Sequence, residues 1–225
     1  MLYDKDIREP LFDFLESTFG KCRILEEKNT GRSRADVVMV TESAIYGIEI
    51  KSDADTYERL KRQVKDYDRF YDYNYAVVGT SHAMHIREHV PEYWGVITVE
   101  LEEGRPDFYI LRDPMPNPKC NPADKLSILW RPEMAHIQEL NGMAKYKDKS
   151  KRFVMEKLLE KVPLEMLNRQ ICEELFERDY TQIAAVISEY REQNGREATR
   201  KASTGKSAGG AALSMGKRRR RRRKK

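Results

Sequence analysis

The sequence predicts an α/β fold: an α-β-β-β-α-β core with a mixed sheet, followed by a C-terminal helical cap and a disordered basic tail. Three observations carry this. A helical stripe is followed by three strand-length apolar runs separated only by short polar turns. A second helical pattern then divides the third run from a fourth, and a helical crossover makes that strand pair parallel. Finally, charge is segregated along the chain. Residues 196–225 hold 13 Lys/Arg and one acid, whereas the remaining 195 residues hold 29 bases and 36 acids, a net charge of −7.

Ile7, Leu11, Phe14 and Leu15 form one helical stripe over residues 7–19, with Asp6 as its cap, Pro10 in the tolerant first turn and Gly20 as its end. "CRILEE" (22–27) reads as a strand, "NTGRSR" (29–34) as a polar turn, "ADVVMVT" (35–41) as a stronger strand, and "AIYGIEIK" (44–51) as its hairpin partner. "SDADTYERLKRQVKDYDRFYD" (52–72) reads as a helix. Ser52 and Asp55 fit a capping pattern, and Tyr57, Leu60, Val64, Tyr67 and Tyr71 form a buried stripe. "YAVVGT" (75–80) is the fourth strand, and "WGVITVE" and "DFYILR" extend the sheet. Helical patterns run from Pro122 to about Tyr190. The proline-rich stretch 113–122 marks a linker, which divides the chain into a core (1–112), a helical extension (113–195) and the tail (196–225).

Composition excludes several classes. Apolar runs such as "VVMV" fall far short of the roughly 20 residues that span a membrane. The mixed, acidic start is unlike a signal peptide, and three separated cysteines with no C-x-x-C argue for free thiols in a reducing compartment, the cytoplasm. The tail ends in nine consecutive cations, and counterion release makes nucleic acid its natural partner. "GKS" at 205–207 lacks the preceding glycine and strand of a phosphate-binding loop. His82, His85 and His89 read as partly exposed positions of a surface helix rather than a metal site. The aromatics of "YDRFYDYNY" (67–75) read mainly as core.

The chemistry-bearing stretch is "GIEIKS" (47–52). Alternation puts Gly47, Glu49 and Lys51 on one strand face. A turn centred between Glu42 and Ser43 sets Asp36 directly opposite Glu49, where two carboxylates repel and require a cation. Oxygen-only ligands suit Mg²⁺ or Mn²⁺. An ion on Asp36 and Glu49, with Lys51 beside it, is a constellation for phosphodiester hydrolysis.

Asp36 at the head of one strand and "EIK" at the end of the next resemble the motif of the PD-(D/E)XK nuclease superfamily, which has the restriction-endonuclease-like fold. Ala35 stands where the superfamily name has proline. The stretch from Tyr46 to Gly79, with "VPEYWGVITV", resembles a narrower group of small bacterial and phage proteins within it, over roughly residues 1–180. The resemblance implies a metal-dependent nuclease, DNA as partner, and Asp36, Glu49 and Lys51 as catalytic residues. Gln63 and Tyr67 resemble a Q-x-x-x-Y pattern on the crossover helix of one nuclease branch, which implies a role in positioning the nucleic-acid end or the metal site. It also implies a third acid from the first helix or strand: Glu9, Glu26 or Glu27. The alternative is a catalytically silent nucleic-acid-binding protein. Oligomeric state is left open, a dimer included.

Overall fold

The computed structural model describes residues 2–178, without the side chains of Lys5, Glu27, Lys28 and Asn29. The predicted basic tail and the end of the predicted helical region lie outside the described residues. A six-stranded sheet runs in sequence order through β1 (Arg23–Thr30), β2 (Ser33–Val40), β3 (Ile45–Lys51), β4 (Tyr73–Gly79), β5 (Gly95–Glu102) and β6 (Arg105–Arg112). The first three strands form an antiparallel meander, β3 to β5 are parallel, and β6 returns antiparallel. With α1 (Asp4–Phe19) before β1 and α2 (Leu60–Phe70) crossing from β3 to β4, the predicted order and mixed sheet are both present.

Strand alternation sorts the side chains into two cores. On one face Val37, Met39, Ile48, Ile50 and Val77 pack with Ile7, Leu11 and Leu15 of α1. Each of these fully buried aliphatics contributes about 1.5–3 kcal/mol relative to exposure. On the other face Val38, Val40, Ile45, Ala76 and Val78 pack against Leu60, Val64 and Tyr67 of α2. The same core continues into the C-terminal helices α5 (Pro122–Leu126), α6 (Arg131–Leu140), α7 (Lys151–Lys161) and α8 (Leu164–Phe176). Between β4 and β5 lie two single-turn helices, α3 (Thr80–Ala83) and α4 (Ile86–His89). Among the described residues no helix is long and apolar enough to cross a membrane.

Four local expectations are corrected. α1 begins at Asp4, so Asp6 is not its cap; instead its carboxylate accepts from Tyr3 N, and Pro10 falls in the second turn. The "NTGRSR" turn shrinks to Gly31–Arg32 because the β1–β2 ladder continues to Thr30↔Ser33. The second helix starts at Leu60 rather than Ser52. Ser52 and Asp55 do pair, through N and Oγ at 2.9 and 2.6 Å, but Asp53 is drawn to Leu2 N and Ser81, and the closed turn does not propagate. The histidines are not on one surface helix: His82 hydrogen-bonds Tyr57, His89 stacks on the same ring, and His85 is exposed.

Candidate active site

The β2–β3 hairpin has the predicted register. Val37↔Ile48, Val38↔Gly47 and Val40↔Ile45 each sum to 85, and one further step sets Asp36 opposite Glu49. At that step the ladder changes character: Asp36 Oδ2 accepts from Ile50 N at 2.9 Å, so a side chain replaces a main-chain rung. Gly47 lies on the same face as Glu49 and Lys51. A Cβ there would collide with the Tyr71 ring and Asn74 Oδ1, so glycine lets the end of α2 sit close against the sheet.

That closeness builds the site. Lys51 Nζ donates to Glu49 Oε1 at 2.7 Å and to Gln63 Oε1 at 3.2 Å. Gln63 Nε2 also donates to Glu49 Oε1, and Tyr67 donates its hydroxyl to Glu49 Oε2 at 2.6 Å. Glu49 and Lys51 are 1% and 3% exposed, so this is no surface ion pair. Withdrawing both charges from water costs several kcal/mol per ion, which the pairing and added hydrogen bonds must offset. Burial first, then the charges of Glu49 and Asp36, pushes the Tyr67 phenol well above 10, so it stays a donor. The five predicted residues are therefore brought together: Asp36, Glu49, Lys51 and Gln63 line one cleft, and Tyr67 buttresses it from beneath.

Asp36 shows the imbalance of the site. Burial and then the Glu49 charge push its carboxyl up to about 7, against the pull of Ile50 N–H, Arg8 and Lys51. Asp36 and Glu49 thus form a closely set and largely buried carboxylate pair. Such a pair fits Mg²⁺ or Mn²⁺, since Mg²⁺ takes one or two carboxylates and keeps several waters. Among the described residues no group of three or more His, Cys, Asp and Glu is gathered to hold a metal. Among the described side chains no third acid joins the carboxylate pair. Glu9 is exposed and does not line the cleft. Glu26 lies 3.8 Å from Arg8 and does not line the cleft, and the Glu27 side chain lies outside the described residues.

The cleft, about 320 Å³, is lined by residues that the sequence reading missed: Arg8, Arg32, Arg34, Arg59 and Arg62, together with Asp4 and Asp55. Arg8 of α1 donates to the Asp36 carbonyl at 3.2 Å and lies 3.6 Å from its carboxylate, while Asp4 holds Arg8 at 2.7 Å. Arg32 comes from the β1–β2 turn, Arg34 from the start of β2, and Arg59 and Arg62 from the start of α2. The alternating arginines of "NTGRSR" were the only local signal of this wall; the rest converge from separate elements.

No curated protein matches the chain. Among solved structures it is similar to SfsA of Pyrococcus furiosus, determined in complex with Ca²⁺. The identity is 15% and the TM-score 0.30, over 47% of this chain and 59% of that one, so the chain spans less than two thirds of that protein. The family described as Bacteriophage P4 protein cII matches over residues 3–200, nearly the whole chain and the entire site, and the chain belongs to that family.

Proposed function

We propose that the protein is a metal-dependent phosphodiester hydrolase acting on DNA, a nuclease of the PD-(D/E)XK superfamily. The observation that supports this best is the convergence of Asp36, Glu49 and Lys51 at one cleft walled by five arginines. In this reading residues 1–112 carry the chemistry, the helices α5 to α8 share the core that packs against α2, and the basic tail adds phosphate contacts.

Asp36 and Glu49 would hold the divalent ion, which when bound supplies Lewis-acid polarisation of a phosphoryl oxygen. Gln63 and Tyr67 fix the Glu49 carboxylate through both oxygens. Lys51 directs donors to Glu49 and Gln63, and its remaining N–H can neutralise charge developing on the phosphate. The arginines neutralise flanking phosphates; guanidinium forks suit that task.

One observation favours a second reading, a silent nucleic-acid-binding protein. Glu49 Oε1 already accepts from both Lys51 and Gln63, so an ion must displace one of them or use Oε2. Labelled linear, branched and single-stranded DNA, incubated with Mg²⁺, Mn²⁺ or EDTA, tests both. Cleavage that requires the metal is expected; DNA bound but uncut under every condition would overturn the hydrolase reading in favour of the silent one.

A further inference from the structure

Asp66 lies on the stretch of α2 that meets the β1–β2 hairpin. It is 8% exposed, and nothing in the chemistry above uses its carboxylate. Oδ2 accepts from Ser33 Oγ at 2.5 Å. On the other side of the turn, Gly31 has φ +61°, and a Cβ there would lie 2.7 Å from Asp66 Oδ1. The carboxylate therefore sits directly on the turn, and glycine supplies both the backbone conformation and the room. Two tyrosines of the same region make further ties: the Tyr71 hydroxyl meets Thr30 Oγ1 at 2.6 Å, and Tyr67 accepts from Asp36 N at 3.2 Å.

What the turn carries is Arg32, with Arg34 just beyond it, and both line the cleft. The hairpin lies at the sheet edge, where β1 has β2 as its single strand neighbour. On α2, Arg59, Arg62, Gln63, Asp66 and Tyr67 recur at three- and four-residue spacing, the geometry of one helix face. One helix face thus carries two cleft arginines, the two side chains that fix Glu49, and the carboxylate that grips the turn.

We propose that Asp66 is a positioning residue: through Ser33 it latches the β1–β2 turn onto α2 and so holds Arg32 and Arg34 in the cleft wall, at a set distance from Glu49 and Lys51, to take substrate phosphates. This rests on the phosphodiester reading. A hydroxyl–carboxylate hydrogen bond is charge-assisted and about twice as strong as a neutral one, which suits a latch on a two-residue turn. Fixing the backbone beneath two long arginines also lowers the entropy lost when they engage an anion.

The test uses Asp66→Ala and Ser33→Ala, singly and together, with Ser33→Thr as the variant that keeps the hydroxyl. Amide hydrogen exchange at residues 30–34 should quicken in each alanine variant, with no further gain in the double variant, and stay slow in Ser33→Thr. For a short single-stranded DNA oligonucleotide without divalent metal, the slope of log Kd against log salt should become shallower by about 1.4, about 0.7 for each arginine set adrift. In cleavage assays KM should rise while kcat at saturating substrate holds. Unchanged exchange at 30–34 in Asp66→Ala overturns the latch whatever the activity. Faster exchange with an unchanged salt slope overturns the phosphate role. A wild-type protein that binds no oligonucleotide overturns the phosphodiester reading itself, and with it the role given to the arginines, while the exchange data still report on the turn.

Discussion

Among the described residues two buried lysines pair with carboxylates in nearly the same way. Lys51 and Glu49 stand 2.7 Å apart at the end of β3, and Lys125 of α5 meets both oxygens of Asp72 at 2.7 Å near the start of β4. Both lysines are almost wholly buried. The second pair closes on itself: Asp72 also accepts from Ile45 N at 2.8 Å, and the three groups tie α5 to the root of the sheet. At the first pair a second carboxylate, Asp36, stands alongside, and a cleft walled by arginines opens over it. A buried ion pair by itself therefore says little about function. The distinguishing mark is an excess of like charge facing an opening lined with the opposite sign.

The largest effect should come from Glu49→Gln, which keeps shape but removes a charge from the carboxylate pair. Cleavage should fall about 10³-fold, near 4 kcal/mol of barrier, and calorimetric Mn²⁺ binding should be lost with it. Lys51→Ala should follow, with a rate loss of about 10²-fold but with Mn²⁺ binding retained or tightened, since a competing cation is gone. Wild-type cleavage by Lys51→Ala would collapse the distinction between the two pairs and leave both as structural.

The matching change at the other pair should move stability instead. Lys125→Met leaves Asp72 without its buried cation, at a cost of about 2–3 kcal/mol. That is below the full penalty for breaking a buried pair because the Asp72 side chain is 24% exposed and keeps its Ile45 N–H. Thermal unfolding should report the loss, and cleavage measured well below the melting temperature should be unchanged. A lowered rate in the folded variant would show that the two pairs are coupled.

The subtlest test is of pH. The folded carboxyl of Asp36 is raised to about 7, above its usual value near 4, so the folded state binds this proton more tightly than the unfolded chain does. Its contribution to stability is complete below about pH 4, fades as pH rises towards 7, and is absent above that. In EDTA, Asp36→Asn should lack this decline, so its melting temperature relative to wild type should climb between pH 4 and 7. Added Mn²⁺ should stabilise the wild type more at pH 8 than at pH 5. An Asp36→Asn difference that stays flat with pH would show that neither burial nor the Glu49 charge raises the Asp36 carboxyl in the folded state.

Much of the site was legible from local pattern. Glu49 and Lys51 share a face because strand side chains alternate, and Asp36 joins them because a short turn sets the hairpin register. Their spacing sets Gln63 and Tyr67 one helical turn apart, and the structure turns both onto Glu49. The misreadings have physical causes too. Ser52 and Asp55 satisfy a capping pattern, yet Asp53 finds better partners in Leu2 N and Ser81, seven residues before the helix begins. The aromatic run at 67–75 reads mainly as core, and Tyr67, Phe70, Tyr71 and Tyr75 are buried.

The sequence by itself determined the α-β-β-β-α-β order, the hairpin register and the shared face of Asp36, Glu49 and Lys51, because these depend on chain geometry over a few residues. Only the tertiary structure decided that the Lys51–Glu49 pair is buried, that Arg8, Arg32, Arg34, Arg59 and Arg62 converge on it, and that Asp66 grips the turn carrying two of them. Arg32, Arg34, Arg59 and Arg62 are exposed, and exposed positions leave no apolar periodicity to read. Their meeting is set by how α1, the β1–β2 turn and α2 pack on the sheet, and that packing is specified by apolar residues elsewhere in the chain.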